Sequence, residues 1–264
     1  MPLILGAQSA VATGFNVENS CRFNDGDDAY FTRTFGTPTN VKIWTISAWV
    51  KSSDLLPTAP NSVRDIMGAR IDAANYTDCD FNSADRHMHI LDYSVGGGGP
   101  YAKTIQLTSK AYYRDCGAWM HMVWACDTTQ AVETNRMKFY VNGTQITSLT
   151  VDRYMDQDRE LTMNRNTATC DVGRAGAGYY YFDGYMAEVA FIDGTQYAAS
   201  DFGEFNSDSP TIWQPIEFAE DVTFGDNGFY LDFKDSADLG KDVSGEGNDL
   251  TPTNIAAADQ ATDT

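Results

Sequence analysis

Apolar and polar residues alternate wherever a period is visible in this chain, and no segment sustains the 3.6-residue repeat of a helix. Residues 43–51 (IWTISAWVK) are short, β-branched and aromatic, and predict a strand. Residues 104–107 and 119–126 predict two more. The clearest hairpin joins 136–141 to 144–149 through Asn142-Gly143, because Asn-Gly supplies the positive φ angles of a two-residue type I′ turn. The aromatic run Tyr179-Tyr180-Tyr181-Phe182 predicts a strand that meets Asp183-Gly184 and continues through 185–192. Residues 224–233 predict a further strand, interrupted at Asp226-Asn227-Gly228. One short helix is expected at 198–205, capped by Ser200. Polar loops are expected at 54–61, 96–100, 127–135 and 152–167. Strands at this spacing, divided by Gly and Asp turns, predict an all-β, two-sheet antiparallel sandwich of jelly-roll type.

The two ends differ from the middle. Residues 1–19 are rich in small side chains and uncharged except for Glu18, which suits an arm or docking segment. The jelly-roll domain is expected over 20–264. Within it, 235–264 is loop-rich and has few large apolar residues, so little core of its own is expected there.

Charge narrows the function classes. The 264 residues carry 37 acidic and 18 basic side chains, a formal net charge of −19, which argues against a basic nucleic-acid-binding face. Of the acids, 29 are Asp and 8 are Glu, a bias toward turns over helices. No run of 18 apolar residues predicts a membrane-spanning helix, and no membrane partner is expected. The first basic residue is Arg22, so the opening stretch reads as mature protein rather than a secretory leader. Cys21, Cys79, Cys116, Cys126 and Cys170 form no Cys-x-x-Cys pair and are expected to be free thiols, as suits assembly in a reducing cytoplasm.

Candidate chemistry is sparse. A glycosidase needs two carboxyl groups flanking the scissile bond, and the Glu-x-Asp-x-x-Glu strand pattern is absent. Glu217, Glu220 and Asp221 have the wrong spacing, and no catalytic residue is assigned. His87-Met88-His89 would place two imidazoles on one strand face without an obvious third ligand, which favours a structural role. Gly173, Gly176 and Gly178 match no phosphate-loop pattern and read as a turn. No cofactor is required. The acidic loops leave a Ca²⁺ ion open, with candidate ligands Asp25, Asp27 and Asp28, then Asp242, Asn248 and Asp249, and also Asp152, Asp156 and Asp158. For each cluster a solvated turn is the simpler account. Tyr179 and Tyr181 are candidate sugar-stacking residues, with sheet packing as the plainer alternative.

Taken in order, 43–51, 118–130 (AWMHMVWACDTTQ), 135–143 (NRMKFYVNG), 181–195 (YFDGYMAEVAFIDGT), 227–233 (NGFYLDF) and 242–249 (DVSGEGND) resemble the laminin-G-like, concanavalin-A-like jelly-roll proteins of tailed, often marine, bacteriophages. The resemblance covers most of the chain from about Ser20. It implies a two-sheet sandwich in which Trp49, Trp119, Phe139 and Phe191 pack the core. It also implies a virion structural protein, assembled in the host cytoplasm, that is non-enzymatic and binds glycan or protein. The partners implied are other virion proteins and a host surface glycan, within a homo-oligomer or multi-subunit assembly. The leading expectation is a tail-fibre-like adhesin; a head decoration protein is the alternative and a polysaccharide hydrolase the remote one. In one respect the chain departs from the pattern: the Asp-x-Ser-Gly-x-Gly-Asn element that commonly opens such domains falls here at 242–248, as in a circular permutation.

Overall fold

The computed structural model describes residues 15–53, 64–82, 86–93, 103–176 and 178–262. Two antiparallel sheets of eight strands form the fold. Sheet A runs in the order Thr144–Ile146 (β10), Met137–Val141 (β9), Met120–Asp127 (β8), Ile43–Ser52 (β3), Gly184–Asp193 (β13), Ser20–Phe23 (β1) and Gln260–Ala261 (β18), with Phe229–Leu231 (β16) also paired to β13. Sheet B runs Leu149–Arg153 (β11), Lys103–Ser109 (β7), His87–Tyr93 (β6), Asn75–Asn82 (β5), Arg64–Asp72 (β4), Thr169–Val172 (β12), Tyr30–Thr34 (β2) and Thr251–Thr253 (β17). A small ribbon pairs Gly203–Phe205 (β14) with Trp213–Pro215 (β15). Among the described residues helical structure is confined to three-residue 3-10 turns.

Period two sorts each strand between faces. Trp44, Ile46, Ala48 and Val50 of β3, with Met122, Trp124 and Cys126 of β8, enter the core between the sheets. Met67 and Ala69 of β4, Cys79 and Phe81 of β5, and Met88 and Ile90 of β6 meet them from sheet B. A second core covers the outer face of sheet A. There Val123, Ala125, Ala190 and Ile192 are packed by Phe202, Phe218, Phe224 and Tyr230 from the segment that follows β13. At the β13 bulge the register shifts between Ala187 and Ala190, and Glu188 takes φ 49°. Its buried carboxylate accepts the Tyr230 hydroxyl, and burial pushes it up to about 7.

The expected hairpin is β9–β10, with Asn142 and Gly143 at φ 46° and 75°. The C-terminal segment lends one edge strand to each sheet, β17 beside β2 and β18 beside β1, and contributes Leu239 and Leu250 to the core. It is therefore attached to the sandwich, as the permutation expectation requires. Residues 1–14 of the expected arm and all of the 54–61 and 96–100 loops lie outside the described residues.

Several expectations need correction. The helix expected at 198–205 is a single 3-10 turn, Ala199–Asp201, followed by β14, and the Ala198 N–H is capped by Asp201 Oδ2 at 2.7 Å while Ser200 is exposed. Tyr179–Phe182 is not a strand, because Tyr180 has φ 61° and turns the chain over the face of sheet B. Only Phe229–Leu231 of the 224–233 stretch is extended into a ladder, since Gly225 (φ 75°) starts a turn before it. Of the four expected core residues, Phe139 and Phe191 lie between the sheets. Trp119 is half-buried and precedes β8, outside the core. Trp49 is buried, but on the outer face of sheet A rather than in the sandwich.

Candidate functional site

The outer face of sheet B carries an unusual row of acids. Asp65 of β4, Asp78 and Asp80 of β5 and Asp171 of β12 are all buried, at 0%, 5%, 2% and 2% exposure. The register sets Asp65 opposite Asp80 and Gly68 opposite Asp78. Both Asp65 oxygens are buried without a hydrogen-bond partner. An ionised carboxylate in that position costs far more than a neutral one, and burial, then Asp78 and Asp80, push the Asp65 carboxyl well above its ordinary range. Burial and Asp80 raise Asp78 as well, against the pull of a 2.7 Å hydrogen bond from the Gly176 N–H. Asp80 accepts from His89 Nδ1 at 3.0 Å. That acceptor places a proton on His89 Nδ1.

A cover lies over Asp65 and Asp78. The turn after β12 lies directly on Gly68, where a Cβ would stand 2.1 Å from the Gly176 nitrogen. Only a residue without a side chain lets the two backbones meet. The cover is pinned at both ends, by Gly176 N–H on Asp78 and by Asp65 N–H on the Tyr180 carbonyl at 3.4 Å.

Beside the cover opens a cleft of 270 Å³. Arg70, Ile71, Thr169, Asp171 and Arg174 line it, together with Gly176 and Gly178 of the cover. Arg174 donates from Nε and Nη2 to Asp171 Oδ2 at 2.9 and 2.7 Å, and its guanidinium lies 3.6 Å from the centre of the Tyr30 ring. Burial pushes the Asp171 carboxyl up despite this partner. Asp171 Oδ1 has no hydrogen-bond partner. Tyr179, 68% exposed, follows Gly178 in the chain, whereas Tyr181 is half-buried, 6.1 Å from Tyr30. Of the two tyrosines singled out from the sequence, Tyr179 offers a ring to solvent and Tyr181 backs the Tyr30–Arg174 stack.

The outer face of sheet A is built for stability. His121 is fully buried, stacked between Trp49 at 5.0 Å and Trp213 at 6.0 Å. The Trp213 indole N–H donates to His121 Nδ1 at 3.0 Å, so Nδ1 is an acceptor and Nε2 carries the proton toward Ser47 Oγ at 2.8 Å. Burial lowers this imidazole to about 3. Gly143 is required twice over, by its positive φ and because a Cβ there would stand 2.2 Å from the Trp213 ring.

The acidic loops are occupied by the protein's own donors. Asp242 accepts from the N–H groups of Tyr230, Ser244 and Asn248, and Asp249 accepts from the Asp242 N–H. Asn248 bridges to the Asp226 and Gly228 carbonyls. Asp25 pairs with Arg64 at 3.0 Å, Asp27 accepts from the Asn24 side chain, and Asp28 (φ 56°) closes the turn. Asp158 pairs with Lys42 at 3.0 Å; Asp152 ends on β11 and the Asp156 carbonyl closes a turn to Arg159. His87 Nδ1 donates to the Ala111 carbonyl, 3.1 Å away, and so does not join His89. Among the described residues no group of three or more His, Cys, Asp or Glu is arranged to hold a metal ion. The five cysteines are free thiols, Cys116 alone being less than fully buried.

The sequence reading missed the row of acids. The signal was present as Asp78-x-Asp80, two carboxylates two residues apart in a strand, where Asp is disfavoured.

A laminin-G-type family profile, described as Concanavalin A-like lectin/glucanases superfamily, matches residues 24–199. The chain belongs to that superfamily. The match runs from the turn before β2 to the 3-10 turn after β13, and so takes in every residue that lines the cleft. A comparison with curated proteins returns no match. Among solved structures, a candidate carbohydrate binding protein from Bacteroides ovatus aligns with a TM-score of 0.53 at 14% identity, over 95% of this chain and 61% of that one. At that identity the likeness shows the superfamily fold alone. This chain thus spans less than two thirds of that protein's length. Tailspike protein 2 from an Escherichia coli O157:H7 bacteriophage aligns at 0.45 and 11% identity, over 69% of this chain and 23% of that one. The CBM40 of a Ruminococcus gnavus IT-sialidase aligns at 0.44 and 12%, over 70% and 96%. These last two scores carry no argument about this chain.

Proposed function

We propose that this domain is a non-enzymatic, glycan-binding jelly roll displayed on a bacteriophage particle as a tail-fibre-like adhesin. The observation that carries the reading is the cleft on the outer face of sheet B. Fixed charged groups stand there beside an apolar side chain, Ile71, and the exposed ring of Tyr179 follows the lining residue Gly178 in the chain. A sugar presents the matching chemistry, hydroxyls around its edge and C–H groups on its face. Membership of a superfamily named for lectins as well as glucanases agrees, as does the carbohydrate-binding description of the Bacteroides ovatus protein. The virion setting rests on the resemblance of the strand motifs to tailed-phage proteins.

The burial of the acids supports a binding rather than a hydrolytic role. Asp65 and Asp78 are held under the cover, Asp80 is buried against His89, and the one carboxyl lining the cleft is tied to Arg174. Glycan-array binding by the intact chain tests the reading. Retention of a defined glycan with no release of reducing ends is expected; chain cleavage would overturn the non-enzymatic part. Copy number in purified particles separates the two virion roles. A few copies at the tail are expected, whereas hundreds on the head would make this a decoration protein clamping or coating the shell.

A further inference from the structure

We propose that the cover on sheet B is a proton-operated latch, seated while Asp65 is protonated and lifted when that carboxyl ionises. The cover is built to move as one piece. Its base is closed by the Phe182 N–H on the Gly173 carbonyl at 2.8 Å. Inside it the Ala175 N–H reaches the Tyr179 carbonyl at 3.1 Å, and the Gly178 N–H reaches the Ala175 carbonyl at 2.8 Å. Gly173 and Gly178 take φ angles of 84° and 81° at its two shoulders. The base is anchored by the Gly173 N–H on the Ile66 carbonyl at 2.9 Å. Beyond the base the cover is tied to β4 and β5 by the Gly176 N–H on Asp78, the Asp65 N–H on the Tyr180 carbonyl and Arg64 Nη1 on the Tyr181 carbonyl. The last two, both 3.4 Å, are long for hydrogen bonds. Lifting the cover breaks these ties and leaves its internal bonds intact.

The acids beneath it are not equivalent. Asp78 accepts the Gly176 N–H at 2.7 Å and Asp80 accepts His89 Nδ1 at 3.0 Å, so each has a donor that can hold a negative charge. Asp65 has none, since both its oxygens are buried without a hydrogen-bond partner. Around it stand Asp78, Asp80 and Tyr76 of β5 and Tyr180 of the cover. His89 of β6 lies beyond Asp80 and is turned onto it. The cations on either side are held by other acids, Arg64 by Asp25 at 3.0 Å and Arg174 by Asp171 at 2.7 Å. A negative charge on Asp65 would therefore meet other carboxyls and no donor, in a place closed to water. Lifting the cover admits water and removes that penalty. The seated state thus holds a proton that the open state releases, and rising pH favours the open cover. Gly176 and Gly178 line the cleft, so lifting takes away part of its wall. The consequence for ligand rests on the glycan reading: glycan and the Asp65 proton hold the cover shut together.

The test follows amide hydrogen exchange of the intact chain without ligand at about pH 5 and about pH 8, corrected for the intrinsic rate at each pH. Protection over 174–180 should lie below that of β3 and β8, as a local opening requires, and should fall by about tenfold or more at the higher pH. Asp65→Asn, equal in size and always neutral, should remove most of that fall. Equal protection at the two pH values, the same fall in Asp65→Asn, or a cover that exchanges only together with β3 and β8 would overturn the latch. The first of these outcomes needs no variant. Glycan retention should be weaker at the higher pH in the unaltered chain and level in Asp65→Asn. Level retention in the unaltered chain would overturn the link between latch and cleft. Retention of no glycan at either pH would remove the glycan reading alone, with the exchange result still deciding the latch.

Discussion

His121 shows how one side chain can set a pH dependence. Its imidazole is held neutral by a donor-only partner, Trp213, on Nδ1 and by burial between two indoles. Its native value of about 3 lies below the ordinary 6.5. The unfolded chain therefore takes up a proton between about pH 6.5 and pH 3 that the folded chain refuses. Stability from this group is complete above pH 6.5 and is lost as pH falls, by about 1.4 kcal/mol per pH unit at most. Denaturation of His121→Gln beside the unaltered chain should show a shallower acid loss in the variant. Parallel pH profiles would mean that the buried imidazole protonates in place.

At the scale of elements, what was legible in the sequence follows from which face of a strand meets water. β3, β8 and the Asn142-Gly143 hairpin stood out because their pattern and turn chemistry follow ordinary rules. β4 and β5 did not, because Asp65, Gly68, Asp78 and Asp80 are poor strand formers that are buried by a cover the sequence does not announce. The same cover explains the misread Tyr179–Phe182 run, whose aromatic residues mimic a strand while Tyr180 turns the chain across the sheet. The cleft was thus half legible: Tyr179 was singled out, but Arg70, Asp171 and Arg174 come together only through the order β4–β12 and the turn after it. Gly68→Ala tests this arrangement, since its Cβ would meet backbone at 2.1 Å. It should destabilise the fold by roughly 1–3 kcal/mol and weaken glycan retention together. An unchanged denaturation midpoint would mean the cover does not rest on β4.

For the whole molecule, two kinds of buried group oppose each other in acid. Asp65, Asp78 and Glu188 have native values raised above those of the unfolded chain, chiefly by burial. Their contribution is complete below the ordinary carboxylate range and is lost as pH rises, the reverse of His121. The unaltered chain alone therefore gives only the sum. Asp65→Asn, compared from about pH 5 to about pH 8, should lose less stability with rising pH than the unaltered chain. Identical slopes would mean that Asp65 ionises freely, against its burial. The exposed acids have a separate role, since a net charge of −19 makes like surfaces repel one another.

The central claim is that glycan is bound between β4, β12 and the cover. Amide hydrogen exchange of the intact chain, with and without the best glycan from the array, tests it most directly. Ligand-dependent protection is predicted at 68–72 and 169–180. Protection confined to another surface, such as the Lys110 and 145–148 cavity of 370 Å³, would contradict it.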